Sequence, residues 1–274
     1  MLKHFWIGVA FFLCALGATA QASDAPIAAT AGVVTSPGHA SDTWLLHLPG
    51  IAGRRWCDDE MILGFRDAGF TGSLDIYDWT DKDPGLNALV GYKRNQAEAQ
   101  KVADLITEHL RKEPAAHVIL TGHSGGTGIA VWALEKLPAD VKIDKLILLA
   151  SALSPNYDLS AALTHVRGHC YSFCSENDIV VLSVGTKMLG TIDGKKCEAA
   201  GHCGFCLPTG VDAIQYDKLI QKPYDKSWLQ YHNVGDHMGC MMRPFAQMIL
   251  APLILPAPAS RAVAVGAKDE KVTR

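Results

Sequence analysis

Residues 118–126 read Val-Ile-Leu-Thr-Gly-His-Ser-Gly-Gly, and the helical pattern of residues 127–137 follows without a break. The apolar run predicts a buried strand, so the glycine-rich residues after it form a tight turn between a strand and a helix. Such a turn lifts the hydroxyl of Ser124 out of the sheet edge, while Gly122 and Gly126 are small enough for strand and helix to approach closely. The pattern Gly-x-Ser-x-Gly in this setting predicts a nucleophilic serine.

The amide N–H of Gly125 lies in the first turn of the predicted helix and has no partner within it. It can therefore face an oxygen that gains negative charge during a reaction. Two other interpretations of this turn are a plain connector and a phosphate-binding loop. The phosphate loop is disfavoured, because Gly126-Thr127-Gly128 has Val131 where a dinucleotide loop needs its third glycine, and no lysine follows as in a P-loop.

Strand and helix patterns alternate along the rest of the chain. Apolar runs predict strands at Thr43–Leu48, Leu74–Tyr77, Val118–Thr121, Leu146–Ala150, Cys170–Cys174 and Trp228–Val234. Helical spacing predicts helices at Asp58–Ala68, from about Leu86 or Ala97 to Lys112, at Ile129–Leu137, at Leu159–His165 and from about Met238 to Leu250. This alternation predicts an α/β fold with a mostly parallel central sheet and helices on both faces, for which one domain is sufficient.

Length and composition narrow the class of protein. The chain has 274 residues, of which 49% are hydrophobic and 19% charged, as is typical of a folded protein. The formal net charge is -3 and no run of five or more basic residues occurs, so a nucleic-acid partner is not expected. We expect the folded domain to occupy residues 42–255, with a cysteine-rich excursion at about 182–227.

The two ends of the chain fall outside this predicted domain. Lys3-His4, the apolar stretch Phe5–Gly17 and the small residues after it predict a secretory signal peptide over residues 1–22. The alternative, a membrane anchor, needs about 20 apolar residues, so no integral membrane segment is expected after cleavage. A linker follows at 23–41, and the mixed composition of residues 256–274 predicts a disordered tail. The protein is expected to be secreted or periplasmic.

The serine turn and the residues after it resemble the serine esterases and lipases of the α/β-hydrolase superfamily over about residues 42–252. The resemblance depends on the Gly122–Gly126 elbow and on the order serine, acid, histidine along the chain. It implies that the acid is Asp178, which follows a predicted strand in a loop before a hydrophobic pair. Glu176 is the nearest alternative, and Asp158 is a weaker one.

The same resemblance places the histidine after the last strand. His237 lies in the glycine-flanked loop Asn233–Gly239, between the last predicted strand and the last predicted helix. His232 falls within the predicted strand, where a packed side chain is the simpler interpretation, and His123 in the elbow is expected to shape the pocket. The predicted catalytic residues are therefore Ser124, Asp178 and His237.

The second half of an oxyanion hole is expected in the loop after the first strand. Residues 47–53, His-Leu-Pro-Gly-Ile-Ala-Gly, are similar to the corresponding loops of lipases and esterases, which implies the amide of Ile51 as the donor beside Gly125. Pro49 has no N–H to donate. Leu48-Pro49 replaces the usual spacing of these loops, so the assignment is open by one residue, and an ordinary Pro-Gly turn is the other interpretation. The predicted groups complete the reaction of a serine nucleophile, so no metal or organic cofactor is expected.

Seven cysteines remain once the signal peptide is removed: Cys57, Cys170, Cys174, Cys197, Cys203, Cys206 and Cys240. In an oxidising compartment we expect one or more disulfides that pin the excursion, although the sequence does not give the pairing. The alternative for the pattern His-Cys-x-x-Cys at 202–206 is a zinc site. Phe205, Tyr216 and Tyr224 of the excursion are candidate contacts for an acyl or alcohol group, with surface packing the other interpretation.

Together these features predict a secreted serine hydrolase that cleaves carboxylic esters of small molecules or lipids through an acyl-enzyme. Only about 18 residues, Ser151–Gly168, separate two predicted strands where members of the superfamily often carry a cap, so no large lid is expected there. A thioesterase, amidase or peptidase would use the same triad. A non-catalytic α/β-hydrolase domain used for binding is the other alternative, and the sequence leaves the oligomeric state and the natural substrate open.

Overall fold

The computed structural model describes residues 42–80, 83–207 and 213–255. The predicted signal peptide (1–22), linker (23–41) and disordered tail (256–274) lie outside the described residues. The predicted hydrolase domain falls almost entirely within them.

Six parallel strands form one sheet in the described part of the chain. In chain order they are β1 (Thr43–Leu48), β2 (Ser73–Ile76), β3 (His117–His123), β4 (Lys145–Leu149), β5 (Cys170–Cys174) and β6 (Leu219–Pro223). Their order across the sheet is β2-β1-β3-β4-β5-β6, and every neighbouring pair is parallel. The predicted α/β fold class is therefore confirmed.

Helices of very unequal length connect the strands. The α-helices are α1 (Trp56–Asp67), α2 (Leu86–Val90), α3 (Tyr92–Lys112), α4 (Gly125–Glu135), α5 (Ser160–Thr164), α6 (Thr186–Leu189), α7 (Ala200–Cys203), α8 (Ala213–Tyr216), α9 (Arg243–Phe245) and α10 (Ala251–Ile254). Two π-helices cover Ile179–Gly185 and Ala246–Leu250, and two 3₁₀ helices cover Lys226–Tyr231 and Gly239–Met241. Only the short α5 lies between β4 and β5, where no large lid was expected.

The strand order determines which face each helix covers. The chain moves outward from β1 to β2 and then back past β1 to β3, after which each strand adds on the same side. With right-handed crossovers, this reversal puts α1 on one face of the sheet and α3, α4 and α5 on the other. The contacts agree, because α4 packs against α3 and α5, whereas α1 packs against α9 and the π-helix Ala246–Leu250.

The centre of the sheet and helix α4 form the core. Leu45, Leu48, Leu120, Ile147 and Leu148 are fully buried, as expected for parallel strands that are covered on both faces. In α4 every residue from Gly125 to Leu134 is buried. A helix that is buried on every side is stable only inside a core. Ser124 directly precedes this helix, so its backbone is held by the core.

The prediction of a last strand at Trp228–Val234 is wrong. Most of this stretch forms the 3₁₀ helix Lys226–Tyr231, whose first turn is capped by the Asp225 side chain accepting a hydrogen bond from the Ser227 N–H. Trp228 packs edge-on against Phe245, with ring centroids 5.1 Å apart. A single aromatic side chain of this stretch is enough for that contact, so its apolar residues need not alternate as in a strand.

The true sixth strand, β6, lies inside the predicted excursion. Its residues are half-buried or exposed, as suits an edge strand, so it lacks the apolar run by which the other strands were predicted. The predicted helix Met238–Leu250 is also divided, into a 3₁₀ turn, the short α9 and a π-helix. Pro244 at the start of α9 explains the first break, because proline fits only the first turn of a helix.

Candidate active site

Ser124 sits in the strained turn that the glycine pattern predicts. Its backbone has φ 52° and ψ -121°, a conformation that side-chain-bearing residues rarely adopt, and its N–H donates to the Leu149 carbonyl of β4 at 2.9 Å. A Cβ on Gly122 would lie 2.7 Å from the Gly126 carbonyl oxygen, and one on Gly126 would lie 2.3 Å from the Leu48 carbonyl oxygen. Only glycine fits at these two positions, so the elbow requires both.

The two predicted oxyanion donors lie side by side. A Cβ on Gly125 would come within 2.6 Å of Cγ2 of Ile51. The carbonyl oxygen of Ile51 accepts a hydrogen bond from the Gly85 N–H at 2.6 Å, and that of Pro49 accepts one from Trp79 Nε1 at 2.7 Å. Among the described residues, no backbone hydrogen bond uses the N–H of either Gly125 or Ile51. Both amides are therefore available to a negatively charged oxygen beside Ser124.

Asp178 and His237 come together although 59 residues separate them. Nδ1 of His237 lies 2.6 Å from Oδ2 of Asp178, and the exposed fractions of the two side chains are 14% and 3%. With Nδ1–H donating to the carboxylate, Nε2 is free to accept a proton. Ser124 and His237 line the same cleft, and within the described residues no hydrogen bond joins them. Such bonds are often long before substrate binds.

The alternative acids and bases lie elsewhere. Glu176 and Asp158 are exposed, and Asp158 accepts hydrogen bonds from Ser160 and Tyr216. His232 is also exposed and ends the 3₁₀ helix with a left-handed φ of 62°, so it is not the packed strand residue that was expected.

His123 contacts the predicted base directly. Its Nε2 lies 3.0 Å from the carbonyl oxygen of His237, and the two rings are 4.9 Å apart. Burial, together with repulsion from His237, lowers the pKa of His123 to about 4. His123 is therefore neutral near pH 7 and can donate a hydrogen bond to the loop that carries His237.

The cleft around Ser124 has a volume of about 340 Å³ and a largely apolar lining. Its walls include Ile51, Cys57, Pro84, Val181 and Met238. Burial, with the nearby charge of Asp58, raises the pKa of the Cys57 thiol to about 12, so this thiol stays protonated and does not compete as a nucleophile.

The three aromatic residues proposed as substrate contacts do not line this cleft. Phe205 and Tyr216 are buried, and Tyr216 donates to Asp158 and accepts from the Leu159 N–H. Tyr224 borders a separate, smaller cavity. For Phe205 and Tyr216 the alternative interpretation, packing, describes the structure. From the chain after Asp178, the cleft is lined instead by Val181, near the start of the π-helix Ile179–Gly185.

A buried contact between His47 and Asp58, of which Asp58 lines the cleft, was not predicted. His47 Nε2 lies 2.9 Å from Asp58 Oδ1, with side chains 0% and 1% exposed. The sequence placed His47 in the oxyanion loop and Asp58 at the start of a helix. A buried aspartate such as Asp58 does not belong to the apolar periodicity by which the buried face of a helix is recognised. The sequence therefore does not show that its side chain faces β1.

The seven described cysteines are free thiols, of which Cys57, Cys170 and Cys240 are buried. The expected disulfides therefore stay a prediction. No group of three or more potential metal ligands lies together in the residues with described positions, so the zinc alternative gains no support. Across the same residues, no helix combines the length and the apolarity that crossing a membrane requires.

Part of the chain matches a known family of ester hydrolases. Residues 71–187 match the family model of the class 3 lipases, a stretch that contains Ser124 and Asp178 but ends before His237. A search of curated proteins finds no match to the sequence.

Solved structures of several hydrolases are similar to the chain at low sequence identity. A lipase-esterase related protein from Clostridium acetobutylicum is 13% identical, with 78% of this chain and 93% of that chain covered and a TM-score of 0.46. A serine hydrolase without lid from Xanthomonas campestris is 11% identical, with 82% and 88% covered and a TM-score of 0.44. A cutinase-like protein from Cryptococcus sp. is 15% identical, with 76% and 91% covered and a TM-score of 0.39.

The predicted resemblance to the α/β-hydrolase superfamily is thus confirmed, by the parallel sheet and by the match over its central part. The lipase match likewise supports a carboxylic ester hydrolase.

Proposed function

Taking the chain as a carboxylic ester hydrolase with the α/β-hydrolase fold, we propose that Ser124, His237 and Asp178 are its catalytic triad. The observation that carries this proposal is the contact of 2.6 Å between His237 and Asp178 at a cleft that Ser124 also lines. Ser124 is the nucleophile, His237 the general base and Asp178 the group that orients the base.

In the first half of the reaction, Oγ of Ser124 attacks the ester carbonyl carbon while Nε2 of His237 takes its proton. The buried carboxylate of Asp178 holds the imidazole through Nδ1–H and stabilises the imidazolium that forms. The tetrahedral oxyanion accepts hydrogen bonds from the N–H groups of Gly125 and Ile51, each worth about 3 kcal/mol of barrier in comparable enzymes. Collapse of this intermediate expels the alcohol, which takes the proton from His237.

In the second half, the acyl group is bound to Ser124 as an ester. Water attacks its carbonyl carbon as His237 removes a proton, and a second oxyanion forms in the same hole. When this intermediate collapses, the carboxylic acid leaves and Ser124 regains its proton from His237. The cycle balances with water as the only co-reactant.

The lining of the cleft favours an uncharged, apolar ester as substrate. Ile51, Pro84 and Met238 offer mainly hydrocarbon surface. Large apolar residues that adjoin lining residues in the chain are themselves exposed, such as Trp56 (60%) and Val180 (57%). An apolar acyl chain gains free energy on leaving water for such a surface, whether it comes from a small ester or from a lipid. Thioesters and amides would enter the same chemistry.

We place the enzyme in the periplasm or outside the cell. The support is the signal-like pattern of residues 1–22. Fractionation of cells that express the full chain tests this placement. We expect an N-terminally shortened protein in the exported fraction, and a full-length protein retained in the cytoplasm would contradict it.

The alternative of a non-catalytic binding domain is tested by reactivity. An alkyl fluorophosphonate should label the protein at Ser124, and Ser124→Ala should abolish both labelling and hydrolysis of p-nitrophenyl butyrate. Ser160→Ala, at a serine in α5 outside the cleft, serves as the matched control and should keep both. Labelling that persists in the Ser124 variant would contradict the assignment, and a wild-type protein that neither labels nor hydrolyses would favour the binding domain.

A further inference from the structure

The buried pair His47–Asp58 links the strand of the nucleophile to the loop of the oxyanion hole. Nδ1 of His47 shares a hydrogen bond of 2.6 Å with Oγ1 of Thr121, and Nε2 shares one of 2.9 Å with Oδ1 of Asp58. Thr121 lies in β3, three residues before Ser124, and Asp58 lies in the first turn of α1. One side chain, that of His47, therefore connects β3 to α1 through the interior.

The same carboxylate also holds the far end of the oxyanion loop. Oδ2 of Asp58 accepts a hydrogen bond from the Arg55 N–H at 2.6 Å. The loop thus begins just after His47 and ends at Arg55, and both ends bond to one carboxylate. Between them, the carbonyl oxygen of Gly50 accepts a hydrogen bond from the Gly53 N–H at 3.1 Å. Because this carbonyl shares a peptide plane with the Ile51 N–H, the direction of that N–H is fixed as well.

The carboxyl of Asp58 is ionised although it is buried. Burial by itself would raise the pKa of Asp58, but the hydrogen bond and charge of His47, with the charge of His123, hold it below its ordinary value. A buried carboxylate is costly without its partners, so the Asp58 side chain has little freedom to leave this arrangement. Rigid placement of this kind is what an oxyanion hole needs, because its donors must be in position before charge develops.

We propose that His47 and Asp58 are positioning residues, which fix the Ile51 N–H at the distance from Ser124 that the transition state requires. This inference rests on the proposed function. Neither side chain has a role in proton transfer. Their effect should therefore appear in the stabilisation of the oxyanion and not in the binding of the uncharged substrate.

The test compares Asp58→Asn with the wild-type protein. An asparagine can accept from the Arg55 N–H with its amide oxygen, but it then presents an NH₂ donor to His47 Nε2 in place of an acceptor. The bond to His47 therefore survives only if Nε2 gives up its proton and the bond to Thr121 reverses. We expect kcat for p-nitrophenyl butyrate to fall about 10- to 100-fold with KM within twofold. The inhibition constant of an alkyl trifluoromethyl ketone, whose adduct places an oxyanion in the hole, should rise by the same factor.

Two further variants keep the test decisive. Thr121→Val retains the side-chain shape but removes the bond to His47, and it should lower kcat about 3- to 10-fold in the same pattern even if the Asp58 variant fails to fold. Asp67→Asn is the matched control, because Asp67 lies at the other end of α1 and pairs with Arg243 at 2.5 Å near the surface. Its kinetic constants should stay within twofold of the wild-type values.

Each remaining outcome has one meaning. If Asp58→Asn or a folded Thr121→Val variant melts earlier but keeps kcat and the inhibition constant, the pair is merely structural and the inference is wrong. If KM rises while kcat holds, the pair acts on substrate binding, which also contradicts it. A wild-type protein without hydrolysis or fluorophosphonate labelling would overturn the proposed function first.

Discussion

Ser124 and His237 meet in one cleft, yet the chain around each is built differently. Ser124 stands between β3 and the wholly buried α4, and backbone sterics at two glycines set its conformation. Asp178 and His237 belong to the chain after β5, which, apart from the edge strand β6, consists of π-helices, short helices and 3₁₀ turns. This second region is positioned by a few polar contacts. Residues next to the two in the chain, such as Ile179 and Asp236, are exposed.

Because the elbow is buried and the loops of Asp178 and His237 are partly exposed, we expect the two regions to respond differently to mutation. An atom added at either elbow glycine must disturb packing, because backbone atoms already lie within 2.7 Å of the place that it would take. A change in the acid and base loops can remove one hydrogen bond and leave the core intact. Activity and stability should therefore separate in the second region and fall together in the first.

The largest expected effect is on rate, from Asp178→Asn in the second region. The amide cannot stabilise the imidazolium and favours the wrong tautomer of His237, so we expect kcat to fall about 10³- to 10⁴-fold with the melting temperature nearly unchanged. Steady-state kinetics and thermal melts measure both quantities. Glu176→Gln, two residues away and exposed, is the matched control and should keep full activity. Similar rates for the two variants would remove Asp178 from the triad.

The next effect is on stability, from Gly126→Ala in the elbow. The added Cβ would meet the Leu48 carbonyl oxygen at 2.3 Å, and neither backbone can move without displacing the sheet. We expect a loss of about 3 kcal/mol in the free energy of unfolding, together with loss of activity. Urea unfolding measures it. A variant with unchanged stability would show that the elbow is as tolerant as the loops.

The smallest effect is a pH dependence at His123, which joins the two regions. The pKa of His123 is lowered from 6.5 to about 4 by burial and by repulsion from His237. Between these pH values the unfolded chain binds a proton that the folded protein does not, so stability falls as the pH falls from about 6.5 to 4. Between pH 6.5 and about pH 5.5 the loss is about 1 kcal/mol.

Urea unfolding across this pH range tests the His123 prediction. His123→Gln keeps an N–H donor for the His237 carbonyl but does not titrate, so its stability should decline less steeply with falling pH. His117→Gln, at an exposed histidine, should follow the wild-type curve. Identical curves for all three proteins would mean that His123 titrates normally.

The sequence predicted the first region well and the second only in part. The bounds of β1 and β5 were predicted to the residue, because buried parallel strands appear as short apolar runs that end at turn residues. The elbow was predictable because its glycines have no substitute. Asp178 and His237 were predicted only from the resemblance to the α/β-hydrolase superfamily. A loop that single hydrogen bonds hold in place has no periodic pattern of residues by which it could be recognised.

The errors have physical causes of the same kind. Strand β6 was missed because an edge strand need not be apolar, and the aromatic stretch after it was mistaken for a strand. The pair His47–Asp58 was missed because a side-chain hydrogen bond between two elements depends on how they pack, which a local pattern does not contain. The excursion was expected to be held by disulfides, and counting free thiols in the exported protein would test that expectation.

The complete burial of α4 has a practical consequence. A helix buried on every side has nothing to pack against until the strands beside it are assembled, so the strained conformation of Ser124 exists only in the folded protein. In an unfolded chain this residue is an ordinary serine among many. Covalent capture of Ser124 therefore counts native molecules, and the labelled fraction of an unpurified sample would report the yield of folding directly.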